Sequence, residues 1–325
     1  MSKIENAKTY SGKELETIFF RPMLSGEDAQ DLGIRVMYNM PVPTTLHFWK
    51  RSGEILQKYT TGGWSGSTST DKLQKMIELH RVKAEMGYAA EDYYTMIYGN
   101  IARQGKMELD DLTGTDLEEA ETALFKEAMA ESIRATMWLG DSSLSSGLNT
   151  FDGFVTRIMK GVSSGDITSS KTFQGGLLNA ARVEERLKEV WTNASASLRN
   201  LKSEGNLAFF VTSDVYNFYM DKIMSSSTEA AYLAQQNGQD QLFYLGIPVI
   251  DIRVSGYMPS GTTPASFIIL TDRRNLALAV NTSDFPGTEI RMWYNPDLME
   301  NRQRAVFMAG CDYLLPELIS LSYLG

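Results

Sequence analysis

One long, capped, amphipathic helix near the middle of the chain restricts its fold more than any other feature. Thr115 is placed as the N-cap, and Glu118, three residues on, completes a capping box. Asp116, Glu118 and Glu119 put negative charge in the first turn, where the helix dipole favours it. Leu117, Ala120, Leu124, Ala128, Met129, Ile133, Thr136 and Met137 then continue one slowly drifting apolar stripe until Gly140 stops it. At about 1.5 Å per residue such a helix is roughly 37 Å long. The pattern predicts a spine on which a whole domain is built.

Upstream, residues 41–60 are rich in strand formers: Thr44, Thr45, Leu46, Phe48, Trp49, Ile55, Leu56 and Tyr59 flank Ser52 and Gly53. Residues 61–70, TGGWSGSTST, have the glycines and hydroxyls of a turn, after which Leu73, Met76, Ile77, Leu79 and Val82 resume the run. This predicts an out-and-back ribbon with too little apolar surface for a core of its own. Residues 3–39 scatter Leu15, Ile18, Phe19, Phe20, Met23 and Leu24 around Pro22 and Gly26, which predicts an extended arm with a short helix at 26–32. Phe19, Phe20, Phe48, Trp49 and Trp64 therefore sit on segments that cannot bury them locally. They are the candidate inter-subunit contacts.

The remaining elements are less regular. Residues 91–103 and 179–201 have helical spacing, separated by the spine and a Gly/Ser-rich passage at 141–165. LAFFVT at 207–212 is a buried strand, followed by a helix that Ser213 is expected to cap. Further strands are predicted at 248–254, 267–271, 276–280, 289–294, 305–308 and 318–323. Helices that precede a run of strands indicate an α+β fold.

Composition excludes several functions. The 325 residues carry 31 Lys and Arg against 40 Asp and Glu, a net charge of -9, the wrong sign for bulk or sequence-specific nucleic-acid binding. One cysteine permits no internal disulfide, and two histidines leave little for zinc. No apolar run approaches the roughly 18 residues of a membrane span, and residues 1–10 lack the apolar segment of a signal peptide. Folding in a reducing cytoplasm, with no membrane partner, is expected.

No motif carries a reaction. Ser65 in GWSGS lacks the final glycine of a nucleophile elbow, and Gly62, Gly63 and Gly66 form no phosphate-binding loop. His47 and His80 lie on the two legs of the ribbon, where pairing brings them together only if the register allows it. Glu118, Glu119 and Glu121 serve the helix dipole. Cys311, among Val306, Phe307, Met308 and Leu314, reads as a buried, inert thiol, and Asp272, Arg273 and Arg274 as a charged turn at a strand end. No catalytic, cofactor or metal site is assigned.

The order of parts, with NLAFFVTSDVYNFYMDKI at 206–223, LFYLGIPVIDI at 242–252 and FIILTDRRNLALAV at 267–280, resembles the major capsid proteins of tailed bacteriophages with the Hong Kong 97 type fold. SGKELETIFFRPML at 11–24 and LGIRVMYNMPVPT at 32–44 are similar in style to those of phages infecting Bacteroidetes. The resemblance implies an N-terminal arm at 1–36 and an extension loop at 37–86. It also implies a peripheral domain at 87–165 and 272–313, and an axial domain at 166–271 and 314–325. It further implies pentamers and hexamers in an icosahedral virion shell around double-stranded DNA, assembled in the host cytoplasm without enzymatic activity. Expected partners are a portal, a separate scaffold protein and decoration proteins. Nothing distinguishes Lys50, Lys58, Lys72 or Lys75 as a crosslinking lysine, so no covalent weld is expected. Two alternatives remain: an encapsulin-type nanocompartment shell, which shares the fold, and a soluble enzyme with an unrecognised carboxylate site.

Overall fold

The central helix forms where its stripe requires, as α1 (Asp116–Leu139) in a computed structural model. The structure describes residues 8–11, 19, 32–38, 44–52, 69–89, 116–168, 170–172, 178–225, 242–258, 265–281 and 289–324. Thr115, the predicted helix at 91–103 and that at 26–31 lie outside them. Phe125, Met129, Ile133, Met137 and Trp138 line the buried face of α1. Leu124, assigned to the stripe, is instead half exposed: the face turns by one residue because the aromatic Phe125 removes more surface from water. At Gly140 the chain reverses. Its N–H donates to the Thr136 carbonyl at 2.8 Å, and a Cβ there would lie 2.3 Å from the Phe151 carbonyl oxygen.

In chain order the strands are β1 (Lys8–Ser11), β2 (Arg35–Tyr38), β3 (Thr44–Ser52), β4 (Ser69–Ile77), β5 (His80–Ala89), β6 (Ser170–Thr172), β7 (Leu207–Val211), β8 (Leu242–Tyr244), β9 (Ile247–Asp251), β10 (Phe267–Asp272), β11 (Leu276–Asn281), β12 (Glu289–Asn295), β13 (Glu300–Tyr313) and β14 (Ile319–Tyr323). Further helices are α2 (Phe154–Ser164), α3 (Val183–Asn193), α4 (Ala196–Asn200) and α5 (Ser213–Ser225).

The first sheet is organised by β13. Its first ten residues pair with β5 along one edge. Along the other edge it pairs with β12 as far as Val306, then with β11 from Met308 onward. β1 extends the sheet beyond β12 and β2 lies parallel to β11, so two stretches of the predicted arm are sheet strands of their own chain. One face of this sheet, through Ala305, Phe307, Ala309 and Cys311, packs on α1 and α2 in the largest core. Helix α2 lies inside the passage expected to be a Gly/Ser-rich connection. Its apolar positions Phe154, Val155 and Ile158 are buried and override the weak propensity of its Gly and Ser residues.

The second sheet has the order β6-β14-β10-β7-β9-β8 and is covered on both sides. Along β7, Ala208 and Phe210 face the core shared with α1, while Leu207, Phe209 and Val211 face α3, α4 and α5. In β10, Phe267 and Ile269 likewise oppose Ile268 and Leu270. Burial on both faces explains why these strands read as unbroken apolar runs rather than alternating ones. The single helix expected at 179–201 is divided. Ser195 caps α4 by accepting the Leu198 N–H at 3.0 Å, and its hydroxyl donates to the Glu317 carbonyl, which fixes the bend. The Ser213 hydroxyl, at the start of α5, donates to Asp251 at 2.8 Å.

The ribbon is present. β3 and β4 pair antiparallel from Thr44 with Ile77 to Ser52 with Ser69, and they share no strand with either sheet. Its tip at 53–68 lies outside the described residues. The register corrects the histidine pairing: His47 sits opposite Gln74, whereas His80 begins β5 opposite Ala309. The two residues are on different sheets.

Candidate assembly surface

The ribbon joins the body at a corner between β4 and β5, and this corner is closely built. Ile77 is buried against Ala277, Ala279 and Leu314. The chain then crosses the second face of β13 directly over Gly310, where a Cβ would stand 2.0 Å from the Glu78 carbonyl oxygen. Two ion pairs flank the crossing. Lys75 reaches Asp312 at 3.3 Å and lies 4.3 Å from the centre of the Tyr313 ring, while Arg157 of α2 donates to Glu78 at 3.0 Å. A two-stranded ribbon is marginal alone, so this corner determines whether it is held out from the body.

Beneath the corner lies a buried carboxylate hub. Asp152 accepts from Lys160 at 2.6 Å and from the Ser142 hydroxyl and N–H at 2.7 and 3.0 Å. Burial alone would raise its pKa, but these donors outweigh burial and hold it down at about 2. Asp312 moves the other way: burial raises its carboxyl despite Lys75 and Arg157. Cys311, between them in β13, donates to the Asp152 carbonyl at 3.1 Å, and burial pushes its thiol well up. It is the inert thiol its apolar neighbours indicated.

These shifts have opposite consequences for stability. A depressed carboxyl such as Asp152 stabilises the fold above its unfolded pKa, near 3.9, and loses that contribution as pH falls through about 2. A raised carboxyl such as Asp312 stabilises the fold only in acid and costs stability as pH rises through its folded value. Because Lys160 is largely exposed, the Asp152 contribution is discounted to about 1–2 kcal/mol. The Asp152→Asn variant is expected to lose this amount in urea titrations at pH 7 and to converge on the parent near pH 2. Equal midpoints at pH 7 would remove Asp152 from the hub.

Two hairpin turns expose apolar residues in unusual backbone conformations. Leu245, 50% exposed, has a φ of 51° in the turn joining β8 to β9, two residues after Phe243 at 51%. Met299, 50% exposed, has a φ of 53° in the turn joining β12 to β13, next to Leu298 at 58%. Positive φ disfavours an L side chain, so neither local conformation nor burial in this chain accounts for these residues. The sequence marks the two turns through Gly246 and through Asn295, Pro296 and Asp297, but nothing in it shows that Leu245 and Met299 take the left-handed positions.

The five aromatic candidates fare differently. Phe19 is corrected: it is fully buried in its own chain's main core, with the Lys126 ammonium 4.6 Å from its ring centre. The core beside α1 has room for an aromatic from the arm, so no other subunit is required to cover it. Phe48 and Trp49 lie on β3, opposite Leu73 and Lys72 by register, but their side chains, like Phe20 and Trp64, lie outside the described residues. Of the lysines weighed for crosslinking, Lys75 is held by Asp312; the side chains of Lys50, Lys58 and Lys72 lie outside the described residues. The charged turn after β10 is also less solvated than expected. Asp272 is buried and holds the Arg274 guanidinium at 2.6 Å, which Glu204 shares at 2.6 Å.

Among the described residues no cluster of three or more His, Cys, Asp or Glu is placed to hold a metal ion, and no helix is long and apolar enough to cross a membrane. No family model matches the sequence. No curated protein matches it either. Solved structures do resemble its fold. A chain of the satellite phage P4 procapsid including the size determination protein Sid aligns with a TM-score of 0.62 at 12% identity, covering 94% of this chain and 89% of that one. The capsid of Myoviridae phage XM1 gives 0.56 at 12% identity over 92% of both chains. The capsid of an empty GTA particle gives 0.54 at 14% identity over 92% and 90%. Over more than nine-tenths of its length, at 12–14% identity, the chain has the fold of phage-type capsid structures.

Proposed function

We propose that this chain is the major capsid protein of a tailed phage, with the Hong Kong 97 type fold, and that it self-assembles into the icosahedral shell that encloses the double-stranded DNA genome. The similarity to phage-type capsid chains across about nine-tenths of both lengths carries the reading. The layout supports it. The first sheet with α1 corresponds to a peripheral domain at 87–165 and 272–313, and the second sheet with α3 and α5 to an axial domain at 166–271 and 314–325. The ribbon within 37–86 is the extension loop, and 1–36 the arm, part of which is woven into its own subunit.

In this proposal axial domains gather into pentamers and hexamers, and the ribbons lie across neighbouring subunits. Many modest contacts then act together, since each bond formed raises the effective concentration for the next. Portal, scaffold and decoration proteins complete the particle, and the chain performs no catalysis. Sedimentation velocity of the expressed protein, alone and with the phage's scaffold, tests this. Shell-sized particles in at least one condition are expected; a persistent monomer in both would overturn the proposal.

A further inference from the structure

The second face of the first sheet, beyond the ribbon corner, is strongly and unevenly charged. Across neighbouring strands it presents Arg81 and Lys83 from β5, Arg291 and Trp293 from β12, and Arg302 and Arg304 from β13. Among the described residues its carboxylates are Glu85, Glu289 and Glu300, and each is taken by one cation: Lys83 at 2.8 Å, Arg304 at 3.4 Å and Arg302 at 3.2 Å respectively. Arg81 and Arg291 are exposed and have no carboxylate partner among the described residues. Arg291 sits directly opposite Arg304, a like-charge cross-strand pair that destabilises a sheet. Both guanidiniums lie on Trp293, 5.6 and 5.8 Å from its ring. The Arg304 Nε is buried without an acceptor. Open concavities of about 480 and 380 Å³ meet at Arg304, one lined by Trp293 and Arg302, the other by Arg81 and Lys83. An excess of cations on one face of a protein with net charge -9 calls for carboxylates from outside.

We propose that this face docks the acidic run at 108–121 of a second copy of the chain. That run, ELDDLTGTDLEEAE, holds Glu108, Asp110, Asp111, Asp116, Glu118, Glu119 and Glu121 and no Lys or Arg. A second copy is the occupant because α1, into which the run leads, packs on the opposite face of the sheet. Helix α1, which continues the run, packs through Phe125 and Met129 on the face formed by Val82, Ala84, Met86, Ala305 and Phe307, whereas Arg81, Lys83 and Arg304 project from the other. The basic stripe, from Arg302 to the row of Arg81, is roughly 20 Å long at about 3.3 Å per residue. This inference rests on the shell reading and adds a named contact to it.

The test is a charge-reversal exchange. One variant carries Arg81→Glu and Arg291→Glu, which break no ion pair among the described residues and place a carboxylate opposite Arg304. The other carries Asp110→Lys and Asp111→Lys. Each variant alone is expected to lose about tenfold in assembled fraction, with an unchanged melting curve. An equimolar mixture is expected to recover assembly, because the introduced lysines of one variant then meet the introduced glutamates of the other, while the unaltered run meets an unaltered face. Carbodiimide crosslinking of mixed light and heavy isotope-labelled wild-type protein is expected to join Lys83 to the 108–121 run between copies. Assembly of either variant at the wild-type level, failure of the mixture to recover, or crosslinks within one copy only would overturn this contact. A wild-type protein that never assembles would instead count against the shell reading, and the crosslink would still decide whether the run docks here.

Discussion

Gly310→Val is expected to destabilise the chain by about 3–5 kcal/mol and to release the ribbon from the body. Gly310 is buried in β13, paired with Ala279 of β11, and the atoms a side chain would meet belong to the Glu78 main chain, at 2.0 Å and 3.1 Å. Neither contact is the free end of a flexible side chain, so relief must come from the backbone. Either β13 leaves β11, or the corner lifts from the sheet. Lifting it breaks the pairs of Lys75 with Asp312 and Glu78 with Arg157 and exposes Ile77. Chemical denaturation measures the first effect, and limited trypsin digestion at Lys72 and Lys75 measures the second. Wild-type stability together with wild-type protection of those lysines would show that the corner is not held as described.

Trp138→Ala is expected to be comparably severe, at about 3–5 kcal/mol. Trp138 ends α1 and is completely buried, with ring centroids 5.3 Å from Phe154 of α2 and 5.2 Å from Phe210 of β7. One side chain therefore ties the spine, the helix after it and the second sheet together. Its removal leaves a cavity that three different elements would have to move to close. Trp138→Phe provides the control. The indole Nε1 is buried without an acceptor, so phenylalanine removes an unsatisfied donor and is expected to cost under about 1.5 kcal/mol. Near-equal losses for the two variants would argue against a packing role.

Features set by local pattern were legible in the sequence. The bounds of α1, the antiparallel ribbon and the strands at 207–211, 267–272, 276–281, 289–295 and 319–323 follow from periodicity, strand-forming side chains and Gly stops. Features set by distant contacts were not. Helix α2 is held by Phe154 and Ile158 in a core that only the completed sheet supplies, so its Gly and Ser content concealed it. Phe19 looked homeless because nothing near it in sequence covers it, yet α1, more than a hundred residues later, does. The length of β13 was hidden because polar residues at its start, Glu300 to Arg304, carry the open charged face while its later residues are buried. The left-handed positions of Leu245 and Met299 were not legible, because residues of these types rarely take that conformation.

Electron cryomicroscopy of particles assembled from this chain tests the central claim most directly. The account predicts closed icosahedral shells with fivefold and sixfold rings of subunits, in which each ribbon, built on β3 and β4, lies on a neighbouring molecule. Finding only separate subunits, or particles in which every ribbon folds back onto its own chain, would contradict it.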